Sequence, residues 1–291
     1  MAESTGGGLL LGGSGQLGTA LADWLRRAGR PVLAPVRSEL DLLGASAIAR
    51  RVAEAQPAWV INAAAFTDVA GAERLDNREA VLRLNRDLPA LLAQECRRSG
   101  ARLVHVSTDY VFDGAASRPY REDDSPAPLQ TYGISKLEGE RAVLDANPDA
   151  LILRTSTLFG PAQRARPNYV DAIRLQARVQ TVIEVVELPV ASPTFAADLA
   201  WALLRLLDAR ATGIVHVVND GACSRLDLAR AIVEEDGRAA SVEVRSCAAP
   251  SGDLRRPAYS ALDMARYEAI AGARLRPWRL ALAEHLRRST L

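Results

Sequence analysis

The chain has 291 residues, of which 48% are hydrophobic and 24% are charged, a composition typical of a folded globular protein that excludes a disordered chain. The formal net charge is +1, which argues against a general nucleic-acid-binding protein, because such proteins depend on clustered basic charge. No apolar run approaches the ~20 residues of a membrane-spanning helix, so neither nucleic acid nor a membrane is an expected partner.

The amino terminus and the cysteines favour a cytoplasmic location. Residues 1–8 contain neither a basic nor an apolar segment, so we expect no export signal. Cys96, Cys223 and Cys247 are widely spaced and fit neither a disulfide framework nor a zinc site. No group of histidines, cysteines or carboxylates has the spacing of metal ligands, so we expect no metal.

The first half of the chain alternates short apolar segments with segments of helical periodicity, which is typical of repeated strand–helix units. The predicted strands are residues 9–11, 32–36, 59–62, 103–106 and 151–154. The predicted helices are residues 19–28, 45–55, 78–98 and 131–144. The fourth strand is almost continuously apolar, as a parallel strand covered on both faces should be. We therefore predict an α/β fold with a Rossmann-type doubly wound parallel sheet.

The second half has a looser pattern. The predicted helices are residues 169–179, 198–207, 224–235 and 280–288. The predicted strands are residues 182–186 and 213–218. The predicted loops are residues 161–167 and 250–257. We expect residues 1–155 to form the Rossmann domain, with residues 195–218 returning to it. Residues 156–194 and 219–291 then form a smaller, partly interleaved carboxy-terminal substrate lobe.

A glycine-rich turn at residues 12–18 joins the first predicted strand to the first predicted helix. Its spacing is a variant of the dinucleotide-binding fingerprint, in which glycines let the backbone approach a pyrophosphate at the helix amino terminus. A purely structural turn is the alternative, but the position at the first strand–helix junction favours a cofactor site. The expected cofactor contacts are Gly12, Ser14, Gly15, Gln16, Leu17 and Gly18.

The end of the second predicted strand indicates which cofactor is used. NAD-binding proteins place an acidic residue there for the ribose 2′-hydroxyl, whereas an arginine accommodates the 2′-phosphate of NADP. This strand is followed by Arg37 and Ser38, a guanidinium and a hydroxyl that can both bind phosphate. We therefore predict an NADPH-binding domain. NADH is the alternative cofactor if Arg37 is only a solvated surface charge.

Tyr132 and Lys136 are spaced i and i+4 on a predicted helix, which places both side chains on one face. Lys136 is also the only lysine among 36 basic residues. We expect the ammonium to lower the pKa of the phenol towards neutrality. Such a phenol can give its proton to a carbonyl oxygen as hydride reaches the carbon, while the lysine also holds the cofactor ribose.

A third hydroxyl is expected beside this pair. Thr108 ends the fourth predicted strand, at the carboxyl edge where open α/β sheets bind ligands. Its hydroxyl can share the negative charge that develops on the substrate oxygen. Taken singly, Tyr132 fits a packed helix aromatic and Thr108 fits a strand-end cap. His105 and His216, in predicted buried strands, are interpreted as packed or hydrogen-bonded core residues.

These segments resemble the extended short-chain dehydrogenase/reductase superfamily and, within it, the dTDP-4-dehydrorhamnose reductase (RmlD-like) family. The resemblance covers nearly the whole chain and is densest from Leu10 to Thr157. A Ser-Thr-Asp-Tyr-Val-Phe-Asp-Gly segment ahead of Tyr-Gly-x-Ser-Lys is its most specific part. The segments that carry the resemblance are residues 12–18, 60–69, 105–114, 132–140 and 154–156.

The resemblance implies roles for individual residues. It implies that Thr108, Tyr132 and Lys136 form the catalytic triad, that Asp41 and Leu42 lie beside the adenine, and that small side chains line the cofactor after the third strand. These small residues are Ala63, Ala64 and Ala65. The implied substrate contacts are Val69, Thr108, Asp109, Tyr110, Thr157, Asn168 and Arg256.

The implied activity is NADPH-dependent reduction of the C4 keto group of a dTDP-4-keto-6-deoxyhexose. Dehydratases of the superfamily carry an Asp-Glu pair after the threonine, whereas Asp109 and Tyr110 follow Thr108 here. Thr157 also stands where the rhamnose enzymes commonly carry an aromatic residue, so a related keto sugar is an alternative substrate. The family often forms dimers, which makes a homodimer an expectation.

A binding function is the alternative from another class of protein. The resembling family includes a regulatory subunit of methionine adenosyltransferase, which keeps the fold and the NADP site but acts by contact and not by catalysis. The intact set of Thr108, Tyr132 and Lys136 weighs against this alternative.

Overall fold

The computed structural model describes residues 7–161, 167–248 and 254–288. Residues 1–6, most of the loop predicted at 161–167 and the first half of the loop predicted at 250–257 therefore lie outside the described residues. The helices are α1 (Gln16–Arg27), α2 (Ala45–Ala55), α3 (Arg78–Leu82), α4 (Leu88–Ser99), α5 (Thr131–Ala146), α6 (Tyr169–Val179), α7 (Ala196–Asp208), α8 (Arg225–Glu235), α9 (Ala265–Ala271) and α10 (Trp278–Arg288).

The strands alternate with these helices through the first half of the chain. They are β1 (Gly8–Leu11), β2 (Val32–Leu33), β3 (Trp59–Asn62), β4 (Arg102–Thr108), β5 (Leu151–Thr155), β6 (Leu158–Phe159), β7 (Val182–Val186), β8 (Val190–Ala191), β9 (Thr194–Phe195), β10 (Gly213–His216), β11 (Cys223–Ser224) and β12 (Glu243–Cys247).

Six strands form one parallel sheet in the order β10-β5-β4-β3-β1-β2. The chain runs outward from β1 in both directions, so the strand order reverses between β1 and β3. A crevice opens at such a reversal, outside the carboxyl ends of the strands, and this is where open α/β sheets bind ligands. The predicted doubly wound parallel sheet is confirmed.

Helices cover both faces of the sheet. On one face, α1 and α7 pack together over a core that includes Leu21, Leu25, Leu203 and Tyr267. On the other face, α2, α4 and α5 cover a second core that includes Val52 and Leu92. The apolar residues of the central strands are therefore buried from both sides, which accounts for their continuously apolar sequence.

A third core lies outside the sheet and supports the second lobe. It joins α6, α8 and α10 to the paired strands β7 and β12, around residues such as Phe159, Ile173 and Ile232. The segment from Leu262 to Leu275, in contrast, packs into the core beneath α1 and α7. The division into two lobes remains a proposal, and this packing assigns α9 to the first lobe.

Two of the differences between the predicted and the observed elements have a clear physical cause. The helix predicted at 78–98 is continuous in direction but contains a wider turn at Arg83–Asp87, where Asn85 binds the backbone of Phe66 over 2.8 Å. The second strand ends at Leu33 and not at residue 36, because Pro35 has no N–H to continue a ladder. Neither change moves the edge at which the crevice opens.

Among the described residues, no helix is both long and apolar enough to cross a bilayer. The same part of the chain contains no group of three or more histidine, cysteine, aspartate or glutamate side chains placed to hold a metal ion.

Candidate active site

The glycine turn lies between β1 and α1 and cannot accept larger side chains. Gly12 has a φ of +79°, and a Cβ at this position would lie 2.6 Å from the backbone nitrogen of Ala64. A Cβ at Gly18 would collide with the carbonyl oxygen of Gly12. These two glycines therefore let α1 begin close against the sheet. Gly15 caps α1 with no side-chain hydrogen bond, which leaves the first-turn N–H groups facing outward.

A cleft of about 780 Å³ begins at this turn and follows the carboxyl edge of the sheet. It passes the ends of β1, β3 and β4 and the first turn of α5. Most of the predicted cofactor residues line it, whereas Ser38 does not. The predicted residues in its wall are Gly12, Ser14, Gly15, Gln16, Leu17, Gly18, Arg37, Asp41, Leu42, Ala63, Ala64, Ala65, Val69, Thr108, Asp109, Tyr110, Tyr132, Lys136 and Thr157.

Several polar atoms in this cleft lack protein partners. Gln16 Nε2, Ser107 Oγ and Thr155 Oγ1 are buried and accept or donate no hydrogen bond within the described residues. A buried polar group without a partner costs about 1–3 kcal/mol. The cleft therefore fits a polar ligand that reaches these atoms, and the helix end beside Gly15 fits an anionic one.

The end of the cleft beyond β2 carries a free cation. Arg37 is exposed at the wall of the cleft, and the described residues supply it with neither an ion pair nor a hydrogen bond. The nearby carboxylates are used locally: Asp41 accepts from the backbone of Leu43 over 3.0 Å, and Glu39 from that of Val36 over 3.1 Å. A guanidinium left unpaired beside a cleft can bind a phosphate group.

α5 brings Tyr132 and Lys136 to the opposite wall, as the sequence predicts. Gln130 caps the start of the helix, and its side chain accepts from the backbone N–H of Gly133 over 2.6 Å. Lys136 is 1% exposed, and its Nζ lies 2.7 Å from the carbonyl oxygen of Val106 and 3.2 Å from His105 Nε2. Burial lowers the pKa of Lys136 to about 8, and Glu140 opposes this shift.

The predicted lowering of the tyrosine pKa is wrong for the free protein. Burial raises the pKa of Tyr132, and the charge of Asp109 and the neighbouring Tyr110 add to this effect. A hydrogen bond with Thr108 opposes the shift, and Lys136 is not among the groups that move it. The phenol of Tyr132 therefore keeps its proton at neutral pH. Its ring lies edge-on to that of Tyr110, with the two ring centroids 6.2 Å apart.

Asp109 follows Thr108 and lies at the centre of a hydroxyl network. Its Oδ2 accepts from Ser156 over 2.7 Å and from Ser260 over 2.6 Å, and its Oδ1 accepts from Thr108 over 3.1 Å. Burial raises the pKa of Asp109 to about 6, although these three hydroxyls oppose the shift. The network holds the Thr108 hydroxyl at the carboxyl end of β4, next to Tyr132.

A second cavity of about 200 Å³ adjoins the cleft and shares Val69, Tyr110 and Thr157 with it. Arg256 lies in its wall, as predicted for a substrate contact, and forms a hydrogen bond with Tyr110. Asn168 lines neither cavity. Its side chain caps α6 by accepting from the backbone N–H of Asp171 over 3.1 Å.

The sequence did not reveal the other residues that form these walls. Arg225 is the most informative, because it places a second guanidinium in the smaller cavity, 4.7 Å above the ring of Tyr169. Only its position after the helix cap Ser224 marks it in the sequence. The remaining unpredicted wall residues of the two cavities include Pro35, Leu40, Phe66, Thr67, Leu84, Ser107, Thr155, Ser156, Pro189, Cys223 and Leu228.

The fold and the site together define a protein of the short-chain dehydrogenase/reductase class. The evidence is a glycine turn at the first strand–helix junction, with a threonine, a tyrosine and a lysine in the same cleft. More specifically, the chain belongs to the family described as the RmlD substrate binding domain, whose model matches residues 8–291.

Known proteins agree with this assignment over nearly their whole length. A dTDP-4-dehydrorhamnose reductase of Mycobacterium tuberculosis is 42% identical over 288 residues, covering 96% of this chain and 91% of the relative. A dTDP-4-keto-6-deoxy-D-glucose reductase of Streptomyces niveus is 34% identical, covering 95% of both chains. The solved structure of a Bacillus anthracis dTDP-4-dehydrorhamnose reductase in complex with NADP has a TM-score of 0.90 and 28% identity, covering 97% of this chain and 99% of that one.

Proposed function

We propose that this protein reduces the C4 keto group of a dTDP-4-keto-6-deoxyhexose with NADPH. The observation that carries the proposal is the presence of Thr108, Tyr132 and Lys136 in the cleft that starts at the glycine turn. Named reductases of such dTDP-sugars, at 42% and 34% identity, support the substrate class. Reduction of a ketone needs one hydride, which the cofactor supplies, and one proton, which the protein must supply through these side chains.

The cofactor fits the larger cleft. The open amino terminus of α1 receives its pyrophosphate, the small side chains Ala63 to Ala65 leave room beside it, and Gln16 Nε2 gains the partner that it lacks. When bound, the nicotinamide supplies the hydride. The NADP in the Bacillus anthracis relative supports this choice of cofactor, and NADH is the weaker alternative because no acidic residue follows β2 directly.

The side chains divide the remaining chemistry. Tyr132 gives its proton to the ketone oxygen, a role that suits a phenol whose pKa is raised by burial, because it is still protonated at neutral pH. Thr108 turns its one O–H from Asp109 Oδ1 to the substrate oxygen and donates a hydrogen bond to it as negative charge develops there. Lys136 holds ribose hydroxyls of the cofactor.

The smaller cavity suits the nucleotide part of the substrate. Arg225 and Arg256 both line it, and guanidinium groups bind diphosphate oxygens with paired hydrogen bonds. Val69, Tyr110 and Thr157 lie where the two cavities meet, so the sugar ring contacts them there. Asn168 contributes by fixing the start of α6 near this junction.

The proposed activity is tested by the oxidation of NADPH in the presence of dTDP-4-keto-6-deoxyglucose, with and without a 3,5-epimerase. We expect NADPH absorbance to fall with one or both substrates. Turnover only in the presence of the epimerase identifies the rhamnose precursor, and turnover without it identifies an unepimerised keto sugar. Stoichiometric NADPH binding with no oxidation across a panel of dTDP-keto-sugars contradicts the proposal and favours a regulatory binding protein.

The preference for NADPH is tested by replacing Arg37 with Glu. We expect the KM for NADPH to rise by about tenfold or more, since a charged hydrogen bond contributes about 1.5–3 kcal/mol. The KM for NADH should change much less. Arg50, an exposed arginine of α2 outside the cleft, provides the matched control as Arg50→Glu. Equal increases for the two cofactors would show that Arg37 does not contact the 2′-phosphate.

Two further features complete the proposal. The protein acts in the cytoplasm, a location supported by three cysteines that all remain free. It forms a homodimer, as the family resemblance suggests. Light scattering coupled to size-exclusion chromatography measures the mass of the assembly, and a monomeric mass at micromolar concentration contradicts the dimer.

A further inference from the structure

A buried row of polar side chains leads to Lys136 and is not used in the reaction proposed above. Asn62 ends β3 and His105 lies in β4, and the parallel register places the two residues opposite each other. Both side chains are 0% exposed. Asn62 Nδ2 lies 3.1 Å from His105 Nδ1, and His105 Nε2 lies 3.2 Å from Lys136 Nζ.

The direction of these hydrogen bonds is fixed from the Asn62 end. The backbone N–H of Ala64 donates to Asn62 Oδ1 over 3.2 Å, so the amide nitrogen of Asn62 faces the histidine. That nitrogen can only donate, and His105 Nδ1 must therefore accept. A neutral imidazole whose Nδ1 accepts carries its proton on Nε2. His105 consequently presents an N–H group to Lys136.

Lys136 must then provide an acceptor. An ammonium group has three N–H donors and no lone pair, so it would face the Nε2–H of His105 donor to donor. A neutral amine can accept from His105 and still donate to the carbonyl oxygen of Val106, 2.7 Å away. The hydrogen-bond geometry around Nζ is therefore satisfied by the amine and not by the ammonium.

We propose that Asn62 and His105 are positioning residues that set the protonation of Lys136, because the fixed Nε2–H of His105 stabilises the neutral amine in the free protein. Lys136 then gains its proton, and turns towards the cleft, as the pH falls below its lowered pKa or when a ligand there stabilises the ammonium. The consequence for turnover rests on the proposed function, whereas the protonation of Lys136 itself does not.

The other charges near α5 are consistent with this assignment. Glu140, one turn beyond Lys136, favours the ammonium, but its carboxylate is held by Arg154 over 2.6 Å and 2.9 Å. His105 stays neutral because burial lowers its pKa well below the usual range, and a proton on Lys136 would lower it further. Other charged groups on elements against α5 have partners other than Lys136. Glu73 accepts from Thr131, Arg86 pairs with Asp87 and lies 3.8 Å from Glu138, and Asp109 accepts from Ser156 and Ser260. Arg83 pairs with Glu79, and Arg102 donates to the carbonyl oxygen of Leu207.

The single lysine makes a direct test possible. In free protein labelled with ¹⁵N-lysine, one side-chain signal reports the titration of Lys136. We expect His105→Gln to raise the measured pKa by about one unit, since the glutamine oxygen can accept from an ammonium. Asn62→Asp should raise it further, because a carboxylate accepts from His105 Nδ1–H and reverses the tautomer.

His216→Gln is the matched control, because His216 is also a buried strand histidine but lies beside Arg154, 3.5 Å away, and not beside Lys136. It should leave the lysine titration unchanged. A His105→Gln variant whose lysine titrates at or below the wild-type value overturns the proposal.

A second measurement needs no variant of the protein. Labelling with ¹⁵N-histidine distinguishes the two tautomers of His105, and we expect a protonated Nε2 and an unprotonated Nδ1. The opposite tautomer in the wild-type protein also overturns the proposal. The lysine titration and the histidine measurement both use the free protein without substrate, so their outcome is independent of whether the protein reduces a dTDP-keto-sugar.

Discussion

Replacing Tyr132 with Phe is expected to remove most of the turnover, by a factor of roughly 10²–10⁴, which is the usual contribution of a general acid. The phenol is the only proposed source of the proton that the ketone oxygen receives, and burial keeps that proton on the oxygen at neutral pH. The phenyl ring can still pack edge-on against Tyr110, as the tyrosine ring does. NADPH affinity should therefore change little, which equilibrium fluorescence titration measures separately from kcat.

Tyr267→Phe provides the control for this variant. Tyr267 is fully buried in the core beneath α7, outside both cavities, and its hydroxyl has no hydrogen-bond partner among the described residues. Loss of that hydroxyl should leave turnover unchanged. Near-wild-type kcat in Tyr132→Phe would mean that another group or water protonates the product, and the assigned role of Tyr132 would have to be abandoned.

The elements predicted best are those whose limits are set by residues within or directly beside the element. The helix at Ala45–Ala55, the strand at Trp59–Asn62 and the helix at Tyr169–Val179 have the predicted limits. Each combines a clear apolar period with a turn or capping residue beside it. The strand Glu243–Cys247 gave no such signal, because Val244 is its only aliphatic residue and its pairing with β7 is a tertiary contact.

The candidate site was predictable as far as it follows from a motif. The glycine turn and the Tyr132–Lys136 pair depend on short-range spacing, and both lie in the same cleft. Ser260 and Arg225 come from distant parts of the chain and carry no local pattern. Their places beside Asp109 and in the smaller cavity arise only from tertiary packing.

The pKa of Tyr132 shows a different limit of sequence reasoning. The charge of a lysine at i+4 predicted a lower phenol pKa, and this prediction is wrong for the free protein. It did not show how deeply the pair is buried, nor that the Nζ of Lys136 binds Val106 and His105 on the strand side. Desolvation acts through every surrounding atom, so a sequence motif contains the charges but not the size of this effect.

Glu140→Ala is expected to cause the largest loss of stability among single substitutions near the site. Glu140 and Arg154 are each 1% exposed and form a two-pronged ion pair between α5 and β5, with the guanidinium 5.2 Å from the ring of Phe112. Removing the carboxylate leaves a buried guanidinium uncompensated, at a cost of about 3–5 kcal/mol. Urea denaturation at neutral pH measures the loss as a lower midpoint.

Two comparisons separate an unpaired buried charge from a simple cavity. Asp23→Ala breaks an exposed pair with Arg26 and Arg27 on α1 and should cost less than about 1 kcal/mol. The double variant Glu140→Leu with Arg154→Met removes both charges and should recover most of the lost stability, because apolar side chains of similar size can replace a buried pair. A double variant less stable than Glu140→Ala would show instead that the ion pair itself stabilises the fold. If Glu140→Ala loses no more stability than Asp23→Ala does, water reaches Arg154.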